Sequence, residues 1–249
     1  MAGHSKWKNI QRRKNAQDAK RGKVFMKLAK EIFVAAKQGG GDSETNPTLR
    51  LAIDKAKSSN MPNDNIDRAI KKATGDLNGV QYENVIYEGY GSGGAALMVQ
   101  LLTDNKNRAA ADVRHAFSKN NGNMGENGCV SFLFNRKGLL IIDRSESEID
   151  GEELLLQVIE AGAEEMETTD EAYEIYTDPQ EFQVVKHQLE ADGLTFSSAE
   201  VTMIPETYAP LEDEDGINMV KLIEQLEDND DVQEVYHNAE INDEVYEQL

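Results

Sequence analysis

The first 75 residues hold 17 of the chain's 26 lysines and arginines but only 7 of its 46 aspartates and glutamates. That block carries a net charge of +10, and the rest of the chain carries −30. A pI near 4.6 therefore hides a strongly basic N-terminal module. Such a block points to a polyanion, most often nucleic acid, because neutralising a phosphate backbone releases condensed counterions. The acidic remainder cannot lie along the same phosphates without repulsion, so function is expected at the N-terminal end. With 249 residues, the chain has room for two or three cores.

Hydrophobic content of 39% suits a soluble globular protein. No apolar run approaches the roughly 18–20 residues of a membrane span. The first residues lead into charge, so an ordinary secretory signal is not expected. A single cysteine, Cys129, fits a reducing cytoplasm.

Between residues 4 and 23 the basic residues Lys6, Lys8, Arg12, Arg13, Lys14, Lys20, Arg21 and Lys23 oppose only Asp18. With Trp7 and Ile10 its only large apolar groups, this stretch reads as a mobile arm that orders on phosphate. From Val24, apolar residues recur at three- and four-residue steps, predicting a helix that ends at Gly39-Gly40-Gly41. A second helix is expected over 47–58, with Pro47 in its first turn. A third is expected from Pro62 to Gly75. The three form a helix-turn-helix-like unit with Lys27, Lys55, Lys57, Arg68, Lys71 and Lys72 as further phosphate candidates. Exposed lysines act on phosphate as point charges, and no base-reading helix is nominated.

Residues 84–134 read as strand 84–90, strand 95–102, helix 107–119, a Gly/Asn loop over 120–128 and strand 129–134. Residues 137–204 read as strand 138–143, helix 151–161, strands 164–168 and 172–176, helix 179–191 and strand 197–205. That βαββαβ order is ferredoxin-like. A helix at 217–226 and a strand at 232–237 then complete the earlier sheet. The expected fold class is α+β with three domains. These are a basic three-helix domain (1–78), a discontinuous α/β middle domain (79–134 plus 205–249) and an inserted βαββαβ domain (135–204). The inserted unit holds 18 acidic and 4 basic residues. It lacks the aromatic strand signature of RNA-binding sheets, so a protein partner is the reading for it. The opposite charges also predict that the acidic units dock the basic arm when no ligand is bound.

Residues 89–94, Gly-Tyr-Gly-Ser-Gly-Gly, formally match G-x-G-x-x-G. A dinucleotide fingerprint needs a helix next, and the apolar run 95–102 reads as a strand, so a hairpin turn is expected. The four histidines and one cysteine make no zinc spacing. The acidic run 212–216 suggests a calcium loop, but the decisive first and distal ligand positions fall on Leu211 and Leu222. Residues 227–231, Glu-Asp-Asn-Asp-Asp, read as a charged turn. No nucleophile–base spacing is visible, so neither enzyme activity, nor a cofactor, nor a metal is expected.

The opening Met1-Ala2-Gly3-His4-Ser5-Lys6-Trp7 resembles the YebC/PmpR family. So do Asn9-Ile10, Arg13-Lys14, Asp18-Ala19-Lys20-Arg21-Gly22-Lys23, Asn60-Met61-Pro62, Tyr87-Glu88-Gly89-Tyr90-Gly91, Val113-Arg114-His115-Ala116-Phe117 and Asp231-Val232-Gln233-Glu234-Val235-Tyr236. The resemblance spans nearly the whole chain. It implies a three-domain cytoplasmic protein without an established cofactor, usually described as a DNA-binding regulator of transcription. Relatives that include mitochondrial translational activators act at the ribosome, with proline-rich stalls as the proposed target. Among the matching positions, His4 and Trp7 become the uncharged members of the nucleic-acid set, Trp7 by stacking on a base or ribose, with an apolar plug onto its own first helix as the alternative. The expectation is a DNA-binding transcriptional regulator. The alternatives are a ribosome- or RNA-associated translation factor that relieves stalling at proline-rich sequence, and an adaptor working through its acidic domains.

Overall fold

The computed structural model describes residues 11, 21–75, 80–147 and 149–246, and the fold is mixed α+β. Three helices come first: α1 (Arg21–Gly39), α2 (Pro47–Ser58) and α3 (Asn63–Gly75). Their periodic apolar residues meet in one core of Leu28, Ile32, Phe33, Leu49, Ala56, Met61 and Ile66, with alanines filling the crossings. Gly40, with φ +88°, ends α1 in a left-handed conformation that glycine adopts without strain. Asn46 is the hinge pin of the next turn. Its side chain caps α2 by accepting from Leu49 N at 3.1 Å and donates to Ala35 O and Gly40 O, each at 2.9 Å. This buried amide therefore fixes the end of α1 to the start of α2.

The next unit is a sheet in the order β3-β1-β2-β9. It comprises β1 (Glu83–Tyr90), β2 (Ala96–Thr103), β3 (Asn123–Met124) and β9 (Val232–His237). Helices α4 (Lys106–Lys119) and α7 (Asp213–Glu227) cover one face. Leu97, Val99 and Leu101 of β2 point into that layer with Val113, Phe117, Met219 and Leu222. Ala96 and Met98 point the other way, onto Val130 and Phe134. β2 is thus buried on both faces, in keeping with an apolar run that only Gln100 interrupts before Thr103. Gly89-Tyr90-Gly91-Ser92-Gly93-Gly94 joins two antiparallel strands, so a strand follows it where a dinucleotide site needs a helix.

Residues 134–205 form a second sheet in the order β5-β6-β4-β7, antiparallel throughout. Its strands are β4 (Phe134–Asp143), β5 (Glu165–Thr168), β6 (Ala172–Thr177) and β7 (Ser198–Pro205). Helices α5 (Gly151–Glu160) and α6 (Phe182–Ala191) pack on one face over Leu140, Ile142, Tyr173 and Ile175. With its two crossover helices, this strand order is that of a split-βαβ unit. Two short strands, β8 (Ala209–Leu211) and β10 (Ala239–Ile241), pair in parallel, and α8 (Asp243–Tyr246) follows.

One expected strand is absent. Residues 129–134 are not extended together: Ser131–Leu133 is a 3-10 turn and β4 starts at Phe134. The reason is Glu88. Its buried carboxylate accepts from the backbone N–H groups of Gly128 at 2.9 Å and of Val130 and Ser131 at 2.8 Å. Donors bound to a side chain are not available to a ladder. Burial alone would push the Glu88 carboxyl up, but the three N–H donors outweigh it and hold it below the usual carboxylate range. Glu88→Ala is expected to cost about 2–3 kcal/mol through the stranded donors. Faster amide exchange at Val130 and Ser131 is the measurement that checks it, and unchanged protection there would contradict it.

Candidate nucleic-acid interface

The arm positions His4, Lys6, Trp7, Lys8, Arg12, Arg13, Lys14 and Lys20 lie outside the described residues. The other eight expected phosphate contacts fall in the helical unit, and the fold sorts them. Arg21 is exposed at the start of α1. Lys23 and Lys27 face the end of α7 and the turn beyond it, where Lys30 joins them, and Lys55 faces β9. Lys23 Nζ donates to Asp228 O at 3.0 Å, Lys27 Nζ to Glu227 O at 2.6 Å and Lys30 Nζ to Asp230 O at 2.8 Å. Lys30 also pairs with Asp231 at 2.9 Å. Lys55 bridges Glu31 and Glu234, each at 3.0 Å.

The chemistry of this contact follows from the helix end. The last carbonyls of α7 have no intrahelical donor and carry the negative end of its dipole. Acidic residues 227–231 add formal charge to the same point. Lysines stepped along α1 at Lys23, Lys27 and Lys30 share one side of their helix and meet that charge together. Burial lowers the Lys27 ammonium more than its acidic neighbours Glu227, Glu234 and Asp230 raise it. For Lys55, burial is outweighed by Glu234 and Glu31, and its pKa is raised.

Asp231 is the anchor of this contact. Its side chain is 7% exposed, and it takes Lys30 at 2.9 Å and Arg108 at 2.6 Å. The Thr103 hydroxyl donates to it at 3.0 Å. Burial would raise its carboxyl, but Arg108, Lys30 and Thr103 together hold it below the ordinary range. An exposed ion pair contributes about 0–1 kcal/mol, whereas stripping a partner from a buried one costs about 3–5. Asp231 sits near the second case, and Lys23–Asp228, with side chains 42% and 45% exposed, near the first.

The remaining candidates are placed elsewhere. Lys57 on α2 and Arg68, Lys71 and Lys72 on α3 are exposed. None of the four makes an ion pair with another described residue. Lys72 lies 5.9 Å from the ring centroid of Phe33, and Lys37 lies 5.5 Å from it. The ends of α1 and α3 therefore meet over one aromatic ring.

The sequence reading missed Lys30, Arg108, Asp231 and Glu234 as partners in one contact. The signal that was present, an acidic run directly after an amphipathic helix, gave no hint of its mate roughly 200 residues earlier. Among the described residues, no group of three or more His, Cys, Asp or Glu is arranged to hold a metal ion. No described helix is long and apolar enough to cross a membrane.

The comparisons with known proteins agree along the whole length. A probable transcriptional regulatory protein of Geobacillus kaustophilus is 69% identical over 240 residues, covering 96% of this chain and 98% of that protein. The probable transcriptional regulatory protein YrbC of Bacillus subtilis is 61% identical, covering 96% and 99%. A crystal structure of a conserved hypothetical protein of Aquifex aeolicus superposes with a TM-score of 0.78 at 48% identity, covering 91% of this chain and 93% of that one. The family description "TACO1/YebC protein N-terminal domain" matches residues 5–76, and "TACO1/YebC second and third domain" matches residues 82–239. With both parts matched in order, the chain belongs to the TACO1/YebC family.

Proposed function

We propose that this protein is a non-enzymatic, cytoplasmic regulator that binds DNA through its basic N-terminal module. The observation that carries the reading is the group of exposed cations on α2 and α3 without acidic partners among the described residues, in a chain that is otherwise strongly acidic. The names of its relatives as probable transcriptional regulatory proteins support the same reading. The basic arm, from His4 to Lys20, extends the cationic surface in this proposal. Three domains serve the function: 1–78, 79–134 with 205–249, and 135–204. Separate cores support that division, as does β9, which joins β2 from beyond the insertion. Through charge, the acidic domains keep the ligand on the N-terminal side.

Fluorescence anisotropy on a random-sequence duplex tests this. With about six phosphates neutralised, the log–log salt slope is expected near −5, a loss of roughly a thousandfold between about 50 and 200 mM salt. A flat dependence would reject phosphate binding. Reversing Arg12, Arg13 and Lys14 to glutamate is expected to weaken duplex binding by at least about tenfold, each lost contact removing about 0.9 from the slope. Glu165→Gln, in the acidic unit, should change nothing, and equal effects would remove the arm from the interface. Ribosome co-sedimentation that survives DNase, beside weak duplex binding, would replace the DNA reading with one in translation.

A further inference from the structure

We infer that the phosphate backbone is taken on the α2–α3 side of the helical unit by Lys57, Arg68, Lys71 and Lys72. In this assignment Lys27, Lys30 and Lys55 do not touch the ligand. They are positioning residues that hold the cationic face at a fixed angle to the acidic remainder. The inference rests on the proposed nucleic-acid reading and separates the cations of the helical unit that face the ligand from those that face the acidic remainder.

Two observations make the division. The first is donor use. Lys30 gives hydrogen bonds to Asp230 O and Asp231, and Lys55 gives hydrogen bonds to Glu31 and Glu234. Turning either lysine toward a phosphate would strand carboxylates on the sheet unit, of which Asp231 is nearly fully buried. One solvated phosphate contact does not offset that. The second is the field. A polyanion approaching the inward side of α1 meets Glu227, Asp228, Asp230, Asp231 and Glu234 together, and like charge excludes it there.

The α3 face has the opposite character. Arg68, Lys71 and Lys72 stand at i, i+3 and i+4, one row on the helix surface, while Ile66, Ala69 and Ala73 point into the core. Lys72 and Lys37 share the Phe33 ring, so the row continues onto the end of α1. Asp64 and Asp67 lie in the first half of α3, which places the cationic part toward its C-terminal end.

The test compares two variants of the full chain by anisotropy on the random-sequence duplex over a salt series, with thermal melting alongside. R68Q/K71Q/K72Q is expected to reduce the salt slope by about 2.7, three contacts at about 0.9 each, and to weaken binding at least about tenfold. Its melting temperature should stay that of the parent. K30M/K55M is expected to lower the melting temperature and leave the slope within about one contact of the parent. A slope loss confined to K30M/K55M, or an unchanged slope for the α3 variant against a steep parent, overturns the assignment. If K30M/K55M does not fold, the α3 variant decides alone. A parent chain that does not bind the duplex at all removes the underlying reading, and this assignment with it.

Discussion

Gly89→Ala is expected to destabilise the protein by about 3 kcal/mol or more, a shift read directly from its urea midpoint. A Cβ built at Gly89 would lie 2.5 Å from Asn123 O, 2.8 Å from the Phe117 ring and 3.0 Å from the Met124 Cα. Two of those three atoms are backbone of the paired strand β3, opposite Gly89 in the register. They cannot swing aside as a lysine tip would, so relief requires moving β3 away from β1 or Phe117 out of its place. Phe117 is fully buried in the core shared by α4 and the sheet, so moving it opens the layer. The informative control is Gly22→Ala, where no atom of the described residues lies within 4 Å of the added methyl and the residue is helical. That change should be neutral or stabilise by up to about 1 kcal/mol. Equal effects at the two positions would show that Gly89 is there for flexibility and not for close approach.

Asp231→Ala is expected to cost about 3 kcal/mol, because it leaves Lys30 and the Thr103 hydroxyl without their buried acceptor and releases Arg108. The second readout is pH. The folded-state carboxyl lies below its unfolded value, which is near 3.9. Its contribution is therefore fully present above about pH 4 and is lost as pH falls through the lower folded value. Asp231→Asn removes this titration while keeping the shape. The variant should lose less stability than the parent on going from neutral to acid pH, and parallel pH curves for the two would reject the assignment.

Much of the fold was legible where a local signal coincided with burial. The spacing of Leu28, Ile32, Leu49, Ala56, Ile66 and Ala73 located α1 to α3, because a helix that buries one face must repeat its apolar residues at that step. β2 was legible from an apolar run interrupted only at Gln100 before Thr103. The strand at 129–134 failed for a reason no window could contain: the carboxylate that bends it belongs to Glu88, some forty residues away. β8 and β10, three residues each, lacked the length for a periodic signal, and their parallel pairing is set by the tertiary fold. At the candidate interface, composition announced a cationic surface, but which lysines face outward depended on where α7 ends. Lys57 and Lys55 are two residues apart in one helix and so lie on opposite sides of it: Lys55 turns inward to Glu31 on α1 and Glu234 on β9, and Lys57 is exposed.

The separation in sequence of the two halves of that contact bears on how the molecule is made. α1 to α3 draw on contacts within about the first third of the chain and can assemble early. Lys27 and Lys30 wait for residues about 200 positions later, and β2 waits for β9. An N-terminal unit emerging first is therefore, for most of synthesis, a bare polycation with its inward lysines unmatched. Only when the last strands are in place does the polypeptide shield that side of itself, so a truncated product should stick to cellular polyanions more indiscriminately than the finished one.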